Sequence, residues 1–121
     1  MRNFEDLQVG KKAHALALAV YAATATFPSA EQYGLTSQIR RSAASVGYNI
    51  AEGCGRDSDA DFARFLQIAT GSVSEVEYQL LLARDLGYLE HSRQLELRDR
   101  HREVRKMLHA FIVHLRPKPD A

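Results

Sequence analysis

The stretch SVGYNIAEGCGR, Ser45 to Arg56, decides how this chain folds. Its flanks read as helix, yet it holds three glycines, an asparagine and a glutamate among small apolar residues. Stepping by three or four positions sorts the mixture, because side chains at that spacing share one face of a helix. Ile39, Ala43, Val46, Ile50 and Cys54 form a core stripe, and Gln38, Arg41, Ser45, Asn49 and Glu52 a polar stripe beside it. Ala44, Gly47 and Ala51 make a third strip with almost no side-chain volume. The stretch is therefore the second half of a helix expected over 36–54, capped by Thr36 or Ser37 and stopped by Gly53 and Gly55. Glycine inside a helix costs about 0.5–1 kcal/mol relative to alanine, so Gly47 is expected to admit another backbone at close range. Asn49 and Glu52 act on one face. Arg41 shares that face but lies roughly 16 Å from Glu52 at 1.5 Å per residue, too far to pair with it. The expected role of Arg41, Asn49 and Glu52 is a structural polar network that fixes helix register, with Glu52 paired to an arginine of another helix. The competing role is a ligand or partner site.

Three further helices lie outside this stretch. The first, expected over 7–26, is rich in Ala and Leu and ends before Pro28, whose preceding residue is driven out of helical geometry. It is apolar nearly all round, so a partner subunit is expected to cover what its own core does not. The third, over 59–86, opens with Ser58 and Asp61 spaced like a capping box and closes at Gly87. Phe62, Phe65, Leu66, Ala69, Val73, Val76, Leu80 and Ala83 mark its buried face. The fourth, over 92–115, stops at Pro117 and carries the stripe Leu97, His101, Val104, Leu108, Phe111 and Leu115. No segment alternates polar and apolar residues long enough for a strand, and short connections favour antiparallel neighbours. The expected fold is all-α, an up-down-up-down antiparallel four-helix bundle, with all 121 residues in one domain and RPKPDA as a fraying tail.

The net charge is only +1, but residues 91–121 carry eight basic against four acidic side chains, while residues 1–90 carry eight against eleven. Any basic surface therefore belongs to the last helix, where Arg98, Arg102, Arg105 and Lys106 share one side and are candidates for phosphate contact. The plainer alternative is a solvated face laced with pairs such as Glu96 to Arg100.

Lys11 and Lys12 precede the uncharged run Ala15–Phe27, and Ala23-Thr24-Ala25 mimics a signal-peptidase site. Glu5 and Asp6 spoil a positive leader, however, and the fold needs the segment that cleavage would remove. Thirteen residues are too few to span a bilayer. With the single cysteine, Cys54, these features point to a cytoplasmic protein with no membrane partner.

Enzyme chemistry finds no support in the spacing. A di-iron bundle needs Glu-x-x-His on two helices, and no Glu here is followed by His three residues later. The five histidines, His14, His91, His101, His109 and His114, lack metal-ligand spacing, and neither a phosphate-cradling loop nor a nucleophile elbow is present. A non-enzymatic protein without metal or cofactor is expected.

Read consecutively, FEDLQVGKKAHALALAVY, FPSAEQYGLTSQIRRSAASVGYNIAEGCGR and FARFLQIATGSVSEVEYQLLLARDLGYL resemble the four-helix-bundle proteins encoded in intervening sequences of bacterial large-subunit ribosomal RNA genes. The resemblance spans about residues 4–90 and is carried by Tyr33-Gly34-Leu35, Gln38-Ile39-Arg40-Arg41, Asn49-Ile50-Ala51-Glu52-Gly53 and Gly71-Ser72. It implies a small bundle that assembles as a homo-oligomer, a pentameric ring, with a link to RNA. A related branch, the accessory subunit of diversity-generating retroelements, implies binding to a reverse transcriptase and to RNA or DNA through a basic ring surface. The chain departs from the pattern where Asp57, Asp59 and Asp61 replace basic residues, and where Val46-Gly47 stands for Ile-Pro. Two functions follow: a ring-forming nucleic-acid-associated accessory protein, or an oligomeric protein–protein adaptor that never touches nucleic acid.

Overall fold

Ser58 turns the chain into its longest helix by accepting a hydrogen bond from the Asp61 backbone amide at 3.1 Å, which satisfies one of the free donors of the first turn. That helix is one of four in the computed structural model, which describes residues 2–117. They are α1 (Gln8–Thr24), α2 (Leu35–Cys54), α3 (Asp59–Asp85) and α4 (His91–Leu115), with short 3₁₀ turns at Phe4–Asp6 and Ser29–Glu31. No strand occurs among the described residues. Most of the expected tail RPKPDA, from Lys118 onward, lies outside them.

Each helix packs against its sequence neighbours and α1 closes against α4, while the backbones of the diagonal pairs α1–α3 and α2–α4 stay apart across the core. This is the up-down-up-down four-helix bundle expected from the short connections. The expected core stripes are buried throughout α2, and in α3 and α4 except at Phe65 and Phe111, which are partly covered. The interior divides into two clusters. One joins Val9, Leu16, Val46, Ile50, Phe62, Leu66, Val73, Val104 and Leu108; the other joins Val20, Phe27, Ile39, Val76, Leu80, Ala83 and Leu97. His101, fully buried on α4 between Leu97 and Val104, belongs to neither.

Helix ends differ from expectation in instructive ways. Neither Thr36 nor Ser37 caps α2: Gly34 is the N-cap, and the Glu31 carboxylate accepts from the Leu35 amide at 3.3 Å. Thr36 lies inside the helix with its hydroxyl unpartnered among the described residues. At the other end Gly55 is the cap, whereas Gly53 is a buried member of the last turn. A Cβ on Gly53 would stand 2.6 Å from Phe62 Cδ1, so this glycine, and not Gly47, admits a close neighbour. A Cβ on Gly47 would have Phe4 Cζ as its nearest neighbour, at 4.0 Å. Gly87 ends α3 as expected, at φ +82°, with its amide bonded to Arg84 O and that of Tyr88 to Ala83 O. These two bonds are the Schellman arrangement, which needs a left-handed residue that glycine adopts without strain.

Candidate functional site

On α3 the side opposite the core stripe carries Ser74, Tyr78 and Leu81 at three- and four-residue intervals, and on α4 Gln94, Arg98 and Arg102 recur every turn. The antiparallel packing of α3 on α4 brings the two rows together with Glu77 and Arg84 as the walls of an open groove of about 340 Å³. Two of the four basic residues expected on α4, Arg98 and Arg102, line it, and Arg84 of α3 joins them. Arg105 lies just beyond, and Lys106, one turn past Arg102, is exposed outside the groove.

Glu77 organises these charges. Its Oε1 accepts from Arg102 Nε at 2.8 Å and its Oε2 from Arg105 Nη1 at 2.9 Å. Burial acts to raise the Glu77 pKa, but the hydrogen bonds and charges of Arg102 and Arg105 outweigh it and hold the carboxyl below its usual range. One carboxylate thus anchors two guanidinium groups, and Arg102 spends only Nε on it. Arg98 leans on its sequence neighbour Asp99 at 3.1 Å, and Arg84 on Asp85 at 3.0 Å, both with exposed carboxylates. Such pairs are worth about 0–1 kcal/mol and yield readily to a competing anion. Arg84 Nη1 also donates to Gln94 Oε1 at 3.2 Å, which fixes the nearly enclosed Gln94 amide at the end of the groove. The pair Glu96–Arg100 does not form; Glu96 accepts from Arg93 at 2.9 Å instead.

The polar stripe of α2 behaves otherwise than expected within one chain. Glu52 is exposed and pairs with Arg56 of its own helix end at 2.7 Å, not with an arginine of another helix. Arg41 is exposed and forms no ion pair among the described residues. Asn49 alone joins a network: its Nδ2 donates to Ser45 O at 2.8 Å and to Ser45 Oγ at 3.0 Å, and Ser45 Oγ meets Ser72 Oγ at 2.9 Å. Ser42 bonds Glu75 one turn further along this seam. The Arg41–Asn49–Glu52 set is therefore replaced by a seryl seam between α2 and α3. The acidic loop after α2 is partly neutralised, since Asp59 pairs with Arg2 at 3.1 Å and Asp61 with Arg64 at 3.5 Å.

A second, apolar groove of about 260 Å³ separates α1 from α2, walled by Ala13, Ala17, Ala44, Gly47 and Tyr48 with Phe4 at one end. Leu18, 59% exposed, and Tyr21 stand outward on α1, consistent with its all-round apolar sequence. No cluster of His, Cys, Asp or Glu able to hold a metal occurs among the described residues. No helix there is long and apolar enough to cross a membrane. Burial raises the pKa of the Cys54 thiol, while Arg2 nearby lowers it less.

The family model of the 23S rRNA-intervening sequence protein matches residues 5–110, from the first 3₁₀ turn through most of α4. The chain belongs to that family. As a 23S rRNA-intervening sequence protein it shares its fold with a crystal structure from Bacteroides thetaiotaomicron VPI-5482, a protein of unknown function from the S23 ribosomal protein family. The two are 28% identical, with a TM-score of 0.77 over 86% of this chain and 97% of the other. No curated protein matches the chain. The family match reaches 20 residues beyond the stretch that carries the sequence resemblance and takes in Gln94, Arg98, Arg102 and Arg105, so the α3–α4 groove lies within the family region.

Proposed function

We propose that this 23S rRNA-intervening sequence protein is a non-enzymatic, cytoplasmic, oligomeric accessory protein that binds RNA or DNA through the α3–α4 groove. The observation that carries the proposal is the convergence of Arg84, Arg98 and Arg102 on one groove, with Arg105 and Lys106 continuing the row along α4. Phosphate contact of this kind is electrostatic and indifferent to sequence. Repetition of the groove around a ring would raise avidity although each chain is nearly neutral. Family resemblance favours a pentamer, and the exposed Leu18, Tyr21 and Tyr48 beside the α1–α2 groove supply an apolar surface for self-association. The retroelement branch makes a reverse transcriptase a candidate protein partner.

The test is titration with RNA and DNA of the same length at about 50 and 200 mM salt. Affinity that falls steeply between the two supports the proposal. Purification from the native host with and without nuclease then separates partners held through nucleic acid from partners held directly. The α1–α2 apolar groove also favours a protein–protein adaptor; a stable oligomer with no low-salt nucleic-acid binding would make that the better reading.

A further inference from the structure

The α3–α4 groove holds more than charge. Tyr78 stands in its wall, 63% exposed, with Leu81 one turn along the same side. An open aromatic ring beside three arginines presents a flat apolar face to a planar ligand. Gln94 closes one end: it is 3% exposed, its carbonyl is taken by Arg84, and its amide nitrogen has no protein partner among the described residues. Arg102 is held to Glu77 through Nε alone, which leaves its terminal nitrogens for a ligand. Arg98 and Arg102 are one helical turn apart, about 6 Å along α4. That is close to the spacing of successive phosphates in an extended strand.

Resting on the nucleic-acid reading above, we propose that the groove binds a single-stranded segment, one base stacked on Tyr78 and Leu81 and the flanking phosphates on Arg98 and Arg102. Gln94 then faces the base edge. Arg84 holds Gln94 in place and adds positive charge at that end. Three features favour a single strand over a duplex. The groove volume, about 340 Å³, is at the small end of the range for small-ligand pockets and suits a nucleotide, not a helix or a folded element. A duplex keeps its bases stacked on each other, so none is available to Tyr78. Aromatic platforms beside cationic grooves are the general means of holding single strands, since every base offers a π face. Glu77 does not oppose this, because its charge is already matched by Arg102 and Arg105.

The experiment compares a short oligouridylate, an oligothymidylate of equal length and an RNA duplex by fluorescence anisotropy at about 50 mM salt. Tyr78→Ala is expected to weaken both single strands roughly 10- to 100-fold, the range for loss of one stacked base, and to leave duplex binding and the melting temperature unchanged. Tyr78→Phe is expected to bind as the wild type does. Equal loss on single strands and duplex, or no loss at all, overturns the stacking proposal. The broader reading is tested separately by Arg98→Gln: if that variant weakens every nucleic acid while Tyr78→Ala weakens none, phosphate binding stands and stacking falls. If no nucleic acid binds but an acidic peptide does, both fall together.

Discussion

The imidazole Nδ1 of His101 lies 2.7 Å from the carbonyl oxygen of Leu97, one turn earlier on α4. A carbonyl can only accept, so Nδ1 carries the proton and Nε2 is left as a bare, buried lone pair without a partner among the described residues. Burial drives the His101 pKa from 6.5 down to about 4; Leu97 O and Glu77 pull it up, and Arg105 and Arg100 push it down. Because the folded-state value is depressed for a base, the unfolded chain binds more protons in between. Stability is therefore complete above about pH 6.5 and declines as pH falls toward 4, by about 3 kcal/mol in all. Urea unfolding at pH 7.5, 5.5 and 4 measures this decline, and His101→Leu should flatten it while keeping the core filled. An unchanged pH profile in that variant would remove His101 from the account.

Glu77 sets a second, lower acid limit. Its folded pKa lies below the ordinary 4.5, so its contribution is present above that value and is lost as pH falls through the folded one. Glu77→Gln should cost about 0.5–1.5 kcal/mol by thermal melting, since it weakens two hydrogen bonds that are only partly shielded from water. The same change frees Arg102 and Arg105 from a negative partner and should tighten binding to any polyanion. A variant that melts lower and binds oligonucleotide less well would mean that Glu77 positions the arginines instead of merely neutralising them.

Gly53 and Gly47 should respond in opposite directions to alanine. At Gly53 the new methyl meets Phe62 at 2.6 Å and Phe65 Cβ at 3.1 Å, and overpacking of this kind costs about 1–3 kcal/mol. At Gly47 only Phe4 is near, so alanine should stabilise the isolated chain by about 0.5–1 kcal/mol through helix preference. If Gly47→Ala instead dissolves the oligomer, the α1–α2 groove is the contact between copies.

Phosphate contacts are best counted through residues that hold nothing else in place. Arg98→Gln with Lys106→Gln removes two charges that leave Glu77 paired, whereas replacing Arg102 and Arg105 together would strand its carboxylate. The slope of log affinity against log salt should drop by roughly 1.4–1.8 for the pair if both meet phosphate. A slope equal to wild type would exclude this face.

Light scattering checks assembly. A mass several times 13.6 kDa at micromolar concentration is expected, and a monomer would leave Leu18 and the apolar α1–α2 groove uncovered.

Sequence periodicity located α2, α3 and α4 because each carries one sustained apolar stripe, the Ala- and Leu-rich run before Pro28 located α1, and Ser58 and Gly87 marked ends whose chemistry is local. Position 34 escaped notice because the α2 cap comes from Glu31, a side chain before the helix, instead of from Thr36 or Ser37. The groove was half legible: α4 charges stood out as a cluster, but Tyr78 and Arg84 belong to the outer face of α3, which reads as ordinary solvent-facing sequence until α4 is laid beside it. Their three- and four-residue spacing with Ser74 and Leu81 was the available signal. Glu52 misled because an exposed carboxylate and a buried one look alike in a helical stripe, and only Arg56 one turn on distinguishes them.

The two apolar clusters meet at the level of His101, where α2 and α3 offer serines and α4 an imidazole. The bundle is thus two stacked cooperative units sharing four continuous rods, and slow amide exchange should show two protected blocks with a softer waist between them. The α3–α4 groove runs alongside one block, from Arg84 and Gln94 at its far end to Ser74 and Arg102 at that waist. A strand lying along it would splint that block to the waist, and its binding should slow exchange there more than in the block built on Val9, Leu66 and Leu108.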